Sequence, residues 1–239
     1  MNITILGTGL VGRILADKLD HLGHDLTIGT RDPDATLART DTGSIGDVSI
    51  PPYSHWQSEH PRVRLAPFAE AAAHSDVILN ATQGAVSLDA LALVGAENLA
   101  GKVLLDLALP LDFTGGFPPA LTLSNNDSLG EQIQRTYPAT KVVKSLTNVF
   151  CQVMVDPARI PGEHNTFLAG NDSDAKQTVR GILNELGWSS PSVIDLGNIT
   201  SARAVELYSR LYFTLVDALG TFELNLHIVH VAAGTAGGR

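Results

Sequence analysis

A glycine-rich turn near residue 7 constrains the fold of this 239-residue chain more than any other feature. The turn, Gly7-Thr8-Gly9-Leu10-Val11-Gly12, directly follows an apolar run over residues 2–6 and opens an amphipathic helical pattern. A second apolar run follows about a dozen residues later, which is the context in which G-x-G-x-x-G binds the pyrophosphate of a dinucleotide. In this role Gly7 permits the tight turn, Gly9 lets the backbone approach the ligand, and Gly12 lets the helix pack on the strand. The alternative is an ordinary strand–turn–helix junction without a ligand.

The rest of the chain alternates short apolar runs with helical patterns. Strands are expected at "HDLTIG", "SDVILNAT", "KVLLDLALP", "KVVKSLT" and "NTFLAG", and helices over 67–74, 85–94, 128–136 and 173–186. Because parallel strands need helical crossovers between them, this alternation predicts an α/β fold with a Rossmann-type, doubly wound, mostly parallel sheet.

Two segments rich in glycine, proline and polar residues interrupt that rhythm. Residues 32–62 and 110–127 are predicted to be long loops, the first with one helical turn at most, and loops of this length are usually functional or mobile. A long helix is expected over 201–219, followed by "FELNLHIVHV" and a frayed end at 234–239. We therefore predict a nucleotide-binding domain over 1–197 and a small C-terminal helical lobe over 198–239.

Composition narrows the classes of partner. The formal net charge of −9 and the pI of about 5.2 argue against nucleic acids and anionic membranes as partners. No apolar run reaches the ~18 residues that would span a membrane. A single cysteine, Cys151, allows no internal disulfide and fits a reducing compartment. We therefore expect a soluble, cytoplasmic protein in which Cys151 is a buried, unreactive thiol rather than a nucleophile.

Histidine is frequent enough to raise the question of a metal. His21 lies close to His24, and His227 lies close to His230, but neither pair has a third ligand at a suitable spacing. No metal site is expected.

The end of the second strand indicates which dinucleotide would bind. NAD-binding proteins place an acid there, which hydrogen-bonds the ribose 2′-hydroxyl and would repel a 2′-phosphate. This chain has Gly29-Thr30-Arg31 instead, and a hydroxyl beside a guanidinium suits a phosphate dianion. Asp32 precedes Pro33 and is expected to turn the chain rather than reach the ribose. The sequence thus favours NADP(H) over NAD, unless Arg31 is simply a solvated loop charge.

Ligands of open parallel sheets lie outside the carboxyl ends of the strands. We expect Thr82 and Gln83 near the ribose and nicotinamide, and Thr147 and Asn148 where a substrate would meet the nicotinamide. Asn80 and Thr147 are equally suited to capping the segments that follow them. No catalytic residue is assigned. The residues predicted at these strand ends are Asn80, Ala81, Thr82, Gln83, Leu109, Thr147 and Asn148.

Four longer stretches carry a family resemblance over nearly the whole chain. They are "ITILGTGLVGRILADKLDHLGHDLTIGTRDP", "DSLGEQIQRTYPATKVVKSLTNVF", "FLAGNDSDAKQTVRGILNELGW" and "IDLGNITSARAVELY". They resemble the NADPH-dependent reductases of the deazaflavin coenzyme F420 (F420H2:NADP oxidoreductases). The resemblance implies a Rossmann domain with a small C-terminal lobe, hydride transfer between NADP(H) and F420, and a homodimer. It also implies that Thr8, Leu10 and Val11 join Thr30 and Arg31 on the dinucleotide.

Alternatives for the second substrate stay open. Members of the family can show a histidine where this chain has Thr147-Asn148, so another flat acceptor, or a small carbonyl or imine, is possible. A reductase of a small imine or keto acid should show a proton donor near the nicotinamide, for which Tyr208 is the candidate. A non-catalytic NADP(H) sensor is the remaining alternative. Arg203 and Glu206 are expected to pair on their helix rather than to face a substrate.

Overall fold

An eight-stranded sheet forms the centre of the computed structural model, which describes residues 1–231. Two further strand pairs, β3–β4 and β8–β9, are separate antiparallel hairpins. In chain order the strands are β1 (Asn2–Leu6), β2 (Asp25–Thr30), β3 (Gly43–Ile45), β4 (Val48–Ile50), β5 (Arg64–Pro67), β6 (Val77–Asn80), β7 (Val103–Asp106), β8 (Leu111–Asp112), β9 (Ala120–Leu121), β10 (Lys141–Ser145), β11 (Thr166–Gly170) and β12 (Val193–Asp195).

The helices cover both faces of the sheet. They are α1 (Leu10–His21), α2 (Pro33–Ala38), α3 (Tyr53–Glu59), α4 (Phe68–Ala73), α5 (Ser87–Val94), α6 (Ala96–Leu99), α7 (Leu129–Thr136), α8 (Cys151–Val155), α9 (Ser173–Glu185) and α10 (Ala202–Leu219). The helices predicted from periodicity are confirmed to within a few residues. Caps decide where two of them begin: Ser128 accepts a hydrogen bond from Glu131 N–H before α7, and Asp172 accepts one from Ala175 N–H before α9.

The order of strands explains where a ligand can bind. The sheet runs β12-β11-β10-β7-β6-β1-β2-β5, and every pairing from β10 to β5 is parallel. β11 pairs antiparallel with β10 and parallel with β12. The predicted Rossmann-type, mostly parallel sheet is therefore confirmed. The chain reverses its direction of travel across the sheet between β1 and β6, and a crevice opens outside the carboxyl ends of strands at such a point.

The core lies on both sides of the sheet because successive side chains of a strand face opposite ways. Ile78 and Leu104 are fully buried in a cluster with α4, α5 and α7. Leu79 and Leu105 are fully buried in a larger cluster that includes α1, α8 and α9. Strands buried on both faces appear as continuous apolar runs, which is why β6 and β7 were visible in the sequence.

The prediction of a long loop over 32–62 is wrong. This segment contains α2, the β3–β4 hairpin and α3. Asp32 caps α2 by accepting a hydrogen bond from Ala35 N–H, and Pro33 occupies the first turn. Tyr53 and Trp56 bury one face of α3. Each element is too short to show a hydrophobic period. The short strands β5 and β12 were not predicted for the same reason, whereas 110–127 is the expected loop except for the two-residue strands β8 and β9.

The C-terminal region packs on the sheet through α10. Tyr212 and Val216 are buried in the larger core cluster, and Val205 is buried as well. The helix ends at Gly220, whose φ of +67° is left-handed. Residues 221–231 contain no helix, so the expected helical lobe is helical only to Leu219. The division of the chain at residue 197 stays a prediction, and the expected frayed end at 234–239 lies outside the described residues. Within residues 1–231, no helix is both long and apolar enough to cross a membrane.

Candidate functional site

The glycine turn has three different environments at its three glycines. Gly7 has φ +112°, and a Cβ there would lie 2.8 Å from Ala81 O. A Cβ at Gly12 would overlap the carbonyl oxygen of Gly7. A Cβ at Gly9, by contrast, would meet no atom within 4 Å. The turn is therefore packed tightly against the protein at Gly7 and Gly12, and it has free space around Gly9.

The N-terminus of α1 leaves donors free behind that opening. The first hydrogen bond of the helix runs from Arg13 N–H to Gly9 O, so the N–H groups of Leu10, Val11 and Gly12 precede it. The first turn contains no acidic residue. Free N–H groups and the positive end of a helix dipole together form an anion-binding site.

Two arginines contact Thr8 within the turn. Arg39 Nη2 donates to Thr8 Oγ1 over 2.7 Å, and Arg13 Nε donates to Thr8 O over 2.8 Å. Arg13 is buried, its guanidinium lies 5.2 Å from the centre of the Tyr53 ring, and burial lowers its pKa. Arg39 directly follows α2 and is exposed. The sequence does not predict that Arg39 contacts the turn, because α2 lies in the segment expected to be a loop.

The predicted phosphate pair at the end of β2 has two different environments. Arg31 is exposed, as a phosphate ligand must be. Thr30 is buried, and its Oγ1 lies 2.8 Å from Thr36 Oγ1, in a pair where either hydroxyl can be the donor. Only one hydroxyl proton is used in that pair, so one remains for another acceptor. Asp32 caps α2, as its predicted role in turning the chain requires.

A cavity of about 690 Å³ opens at the carboxyl edge of the sheet, beside the glycine turn. Its lining includes Gly9 to Val11 and residues 44–46 at the tip of the β3–β4 hairpin. Segments 81–85 and 107–109, after β6 and β7, also line it. The lining contains six aromatic side chains, Phe113, Phe117, Phe150, Tyr212, Phe213 and Phe222.

The structure brings about half of the predicted site residues to this cavity. Those that line it are Gly9, Leu10, Val11, Ala81, Thr82, Gln83, Leu109 and Thr147. Gly7, Thr8, Gly12, Thr30, Arg31, Asn80 and Asn148 lie outside its lining. A Cβ at Gly84 would overlap Leu109 O, so the segments after β6 and β7 touch there and form one wall.

Asn80 and Asn148 are both fully buried, and their side chains serve the protein. Asn80 Nδ2 donates to Asp106 Oδ1 over 2.8 Å, and its Oδ1 accepts from Thr82 Oγ1 over 2.7 Å. Asn148 Nδ2 donates to Asn165 O over 3.0 Å. The alternative role for Asn80, holding the segment that follows it, agrees with these contacts.

Among residues 1–231, only two side chains of the cavity lining are titratable, Cys151 and Tyr212. Burial raises the pKa of the Cys151 thiol to about 12. The Tyr212 hydroxyl donates to Phe222 O over 2.7 Å, and burial raises its pKa as well. The predicted candidate Tyr208 is absent from the lining, and its hydroxyl is buried without a partner among the described residues. This position argues against Tyr208 as a proton donor.

A charged cluster lies beneath the wall formed by the segments after β6 and β7. Lys144 Nζ is 2.8 Å from Asp106 Oδ2 and 3.0 Å from Glu206 Oε1, and all three side chains are almost completely buried. Burial lowers the pKa of Lys144, but the two carboxylates outweigh this effect and raise it. The sequence indicates this cluster only through Lys144, a lysine within the apolar run "KVVKSLT".

Glu206 and Arg203 do not pair with each other, so that prediction is wrong. Glu206 accepts hydrogen bonds from Leu129 N–H and Gly130 N–H at the start of α7, over 2.9 and 3.0 Å. Arg203 instead donates to Glu131, over 2.8 and 2.6 Å. Within residues 1–231, no three His, Cys, Asp or Glu side chains are grouped so that they could hold a metal ion.

Comparisons with known proteins agree with this geometry. The sequence model of the family "NADP oxidoreductase coenzyme F420-dependent" matches residues 2–110. The crystal structure of a candidate F420-dependent NADP-reductase from Arthrobacter sp. FB24 is 51% identical, with a TM-score of 0.89, covering 96% of this chain and 100% of that one.

Two more distant relatives share parts of the architecture. The metalloreductase STEAP3 of Rattus norvegicus is 25% identical over 204 residues, which are 85% of this chain but 35% of that protein, so the chain spans about a third of its relative's length. A reductive aminase from Aspergillus terreus has a TM-score of 0.60 at 17% identity, covering 92% of this chain and 62% of that one, which shows the fold alone. With half of its residues identical to the Arthrobacter protein over almost its full length, and with the glycine turn inside the matched region, the chain belongs to the family of coenzyme F420-dependent NADP oxidoreductases.

Proposed function

We propose that this oxidoreductase transfers a hydride between NADP(H) and the deazaflavin coenzyme F420. The observation that carries the proposal is the cavity, whose lining combines residues of the glycine turn with six aromatic side chains and, among residues 1–231, no group suited to donate a proton. When bound, the nicotinamide supplies the hydride, and the protein holds and orients the two partners.

The residues at the turn fit NADP(H). Gly9 leaves room for a pyrophosphate, and the free N–H groups at the start of α1 face that room. The exposed guanidinium of Arg31 stands at the end of β2, where an NAD-binding protein carries an acid. Arg39 adds a second positive charge at Thr8. The positive charge of Arg31 in place of that acid favours the 2′-phosphate of NADP(H).

The aromatic side chains of the lining support a flat acceptor. Phenylalanine rings bind flat ring systems by stacking and edge contacts. Hydride transfer between a nicotinamide and a deazaflavin requires no acid or base from the protein. A small imine or ketone does need a proton donor, and the two titratable lining groups fit that task poorly. The pKa of Cys151 is raised to about 12, and the Tyr212 hydroxyl is committed to Phe222 O.

We also propose a homodimer that uses the outer face of α10. Leu207, Leu211 and Leu219 are exposed on this helix, by 43%, 47% and 63%. Three large apolar side chains exposed on one helix suit a contact with a second copy of the chain. Light scattering on the purified protein tests this proposal, since a monomer would contradict it.

The experiment that tests the acceptor is NADPH oxidation, followed at the nicotinamide absorbance with and without oxidised F420. Turnover that depends on F420 would support the proposal. Parallel reactions with a cyclic imine, a 2-keto acid and ferric citrate serve as controls for other acceptors. Fluorescence titrations with NADPH and NADH show whether the turn binds the nucleotide at all. Tight NADPH binding with turnover of only the imine or the ferric salt would overturn F420 as the acceptor.

A further inference from the structure

A chain of buried polar contacts connects the charged cluster to the wall of the cavity. Asp106 Oδ1 accepts from Asn80 Nδ2 and, over 3.2 Å, from Ala108 N–H. Asn80 Oδ1 in turn accepts from the hydroxyl of Thr82. Lys144 Nζ donates both to Asp106 Oδ2 and to Ala108 O. Thr82 and Ala108 line the cavity. Ala108 contacts Asp106 directly, and Thr82 is connected to Asp106 through Asn80.

Stability alone is a poor explanation for this cluster. Removing charges from water costs several kcal/mol for each ion, and apolar residues of the same size often stabilise a fold as well or better. Here one ammonium is buried with two carboxylates, which leaves one excess negative charge. Glu206 is stabilised by two backbone N–H groups of α7. Asp106 is held by Lys144, Asn80 and Ala108, and these contacts all lead to the cavity wall.

We propose that Asp106 and Lys144 are positioning residues, which fix the cavity wall at Thr82 and Ala108 and thereby orient the nicotinamide for hydride transfer. This inference rests on the proposed function, since it assumes that the nicotinamide lies against that wall. The phosphate end of the nucleotide would be held at the glycine turn, by N–H groups at the start of α1 that take no part in these contacts. Loosening the wall should therefore disturb the orientation of the ring far more than the affinity for the nucleotide.

The first test is Asp106→Asn. The amide oxygen can face either Lys144 or the pair Asn80 and Ala108, but not both, and the amide NH₂ then opposes a donor on the other side. We expect the rate of hydride transfer at saturating NADPH to fall by about tenfold or more, because small misplacements of reacting groups are costly. The dissociation constant for NADPH should change little. The anisotropy of bound NADPH should fall as the nicotinamide gains freedom.

The matched control is Ile133→Ala on α7. Ile133 is fully buried in the other core cluster and absent from the cavity lining. Ile133→Ala should lower the melting temperature, and the Ile133 side chain takes no part in the polar contacts that join Lys144, Asp106, Asn80 and Thr82. At a temperature where both variants are folded, the control should keep the hydride-transfer rate and NADPH anisotropy of the wild type. A control that loses both as Asp106→Asn does would show that general destabilisation is the cause, and would overturn the proposal.

A second pair of variants acts at Thr82, the half-buried end of the chain of contacts, where a substitution should cost less stability than at Asp106. Thr82→Val removes the hydroxyl that donates to Asn80 while keeping the shape, and Thr82→Ser keeps the hydroxyl. We expect the valine variant to reproduce the effect of Asp106→Asn and the serine variant to retain more of the wild-type rate than the valine variant. The double variant with Asp106→Asn should be little slower than Asp106→Asn alone, because both act through one path. Fully additive losses would overturn the inference.

The outcomes separate this inference from the proposed function. If F420 is not an acceptor but Asp106→Asn still lowers the anisotropy of bound NADPH, the positioning role stands without the deazaflavin. If the wild type turns over F420 and Asp106→Asn matches it in rate and anisotropy, the positioning role is wrong and the proposed function stands. A wild type that binds no NADPH would overturn both.

Discussion

Arg39 donates a hydrogen bond of 2.7 Å to the hydroxyl of Thr8, which lies 31 residues earlier in the chain. This contact brings the residue that follows α2 to the turn between β1 and α1. It places one exposed guanidinium at the glycine turn, whereas the exposed Arg31 follows the end of β2. The two arginines should therefore differ in what they recognise.

Replacing Arg31 with alanine should weaken NADPH binding by about 1.5–3 kcal/mol, the usual worth of a charge-assisted hydrogen bond, and leave NADH nearly unaffected. The loss is selective because only NADPH carries the 2′-phosphate. Fluorescence titration with both nucleotides measures it. Equal losses for the two nucleotides would remove Arg31 from the phosphate site.

Arg39→Ala should weaken NADPH and NADH alike, because Arg39 is anchored on the turn that would hold the pyrophosphate common to both. The same titrations serve here, with Arg31→Ala as the matched comparison. A loss confined to NADPH would instead place Arg39 at the 2′-phosphate.

Two alanine substitutions in the turn should separate folding from binding. Gly12→Ala forces a Cβ onto Gly7 O and should destabilise the protein by about 1–3 kcal/mol, as overpacking does. Gly9→Ala meets no atom within 4 Å, and Gly9 has φ −76°, so the melting temperature should stay unchanged. Its methyl group would instead occupy the space of the pyrophosphate and abolish NADPH binding. Calorimetry and titration on both variants check this, and unchanged NADPH affinity in Gly9→Ala would contradict it.

The pKa of Cys151 predicts how its reactivity depends on pH. Because burial raises this pKa to about 12, the thiolate fraction should rise about tenfold for each pH unit from 7 to 10. The rate of alkylation by iodoacetamide should follow that slope, and saturating NADPH should slow it, since Cys151 lines the cavity. Mass spectrometry of timed samples gives the rate. A plateau near pH 9 would show an ordinary, solvated thiol.

The exposed phenylalanines of the cavity should affect the acceptor and not the nucleotide. Phe113 and Phe117 are 57% and 46% exposed, so truncating either to alanine costs little stability. Losing one ring contact should raise the KM for F420 by a factor that corresponds to about 0.5–1.5 kcal/mol, with the dissociation constant of NADPH unchanged. Steady-state kinetics with F420 as the varied substrate measures the effect. An unchanged KM in both variants would locate the acceptor elsewhere.

The parts that could be predicted from sequence are those whose pattern lies within a short stretch of residues. The glycines of the turn from Gly7 to Gly12 are close together in the chain. The strands β6 and β7 are continuous apolar runs because both faces of each strand are buried. In the segment 32–62, α2, α3 and the hairpin are each too short to show a period, so tertiary contacts such as those of Trp56 decide their conformation.

The missed parts of the site depend on partners that are distant in sequence. Lys144 is 38 residues from Asp106, and Glu206 is 76 residues from Gly130. A lysine within a strand pattern suggests a buried charge, but the sequence does not show which carboxylates neutralise it. In the same way, nothing near Arg39 in the chain indicates that it reaches Thr8. Identifying either contact requires the packing of the whole sheet.

The lining of the cavity joins elements that are far apart in the chain. A Cβ at Gly46, in the β3–β4 hairpin, would lie 3.2 Å from the ring of Phe222, and the Tyr212 hydroxyl donates to the carbonyl of Phe222. On the ribosome the glycine turn is synthesised long before Tyr212 and Phe222, which enclose the cavity. A nascent chain can therefore form the anion-binding turn long before it has a place for the hydride acceptor. Binding of the acceptor therefore shows that the cavity has folded completely, whereas binding of the nucleotide alone does not show this.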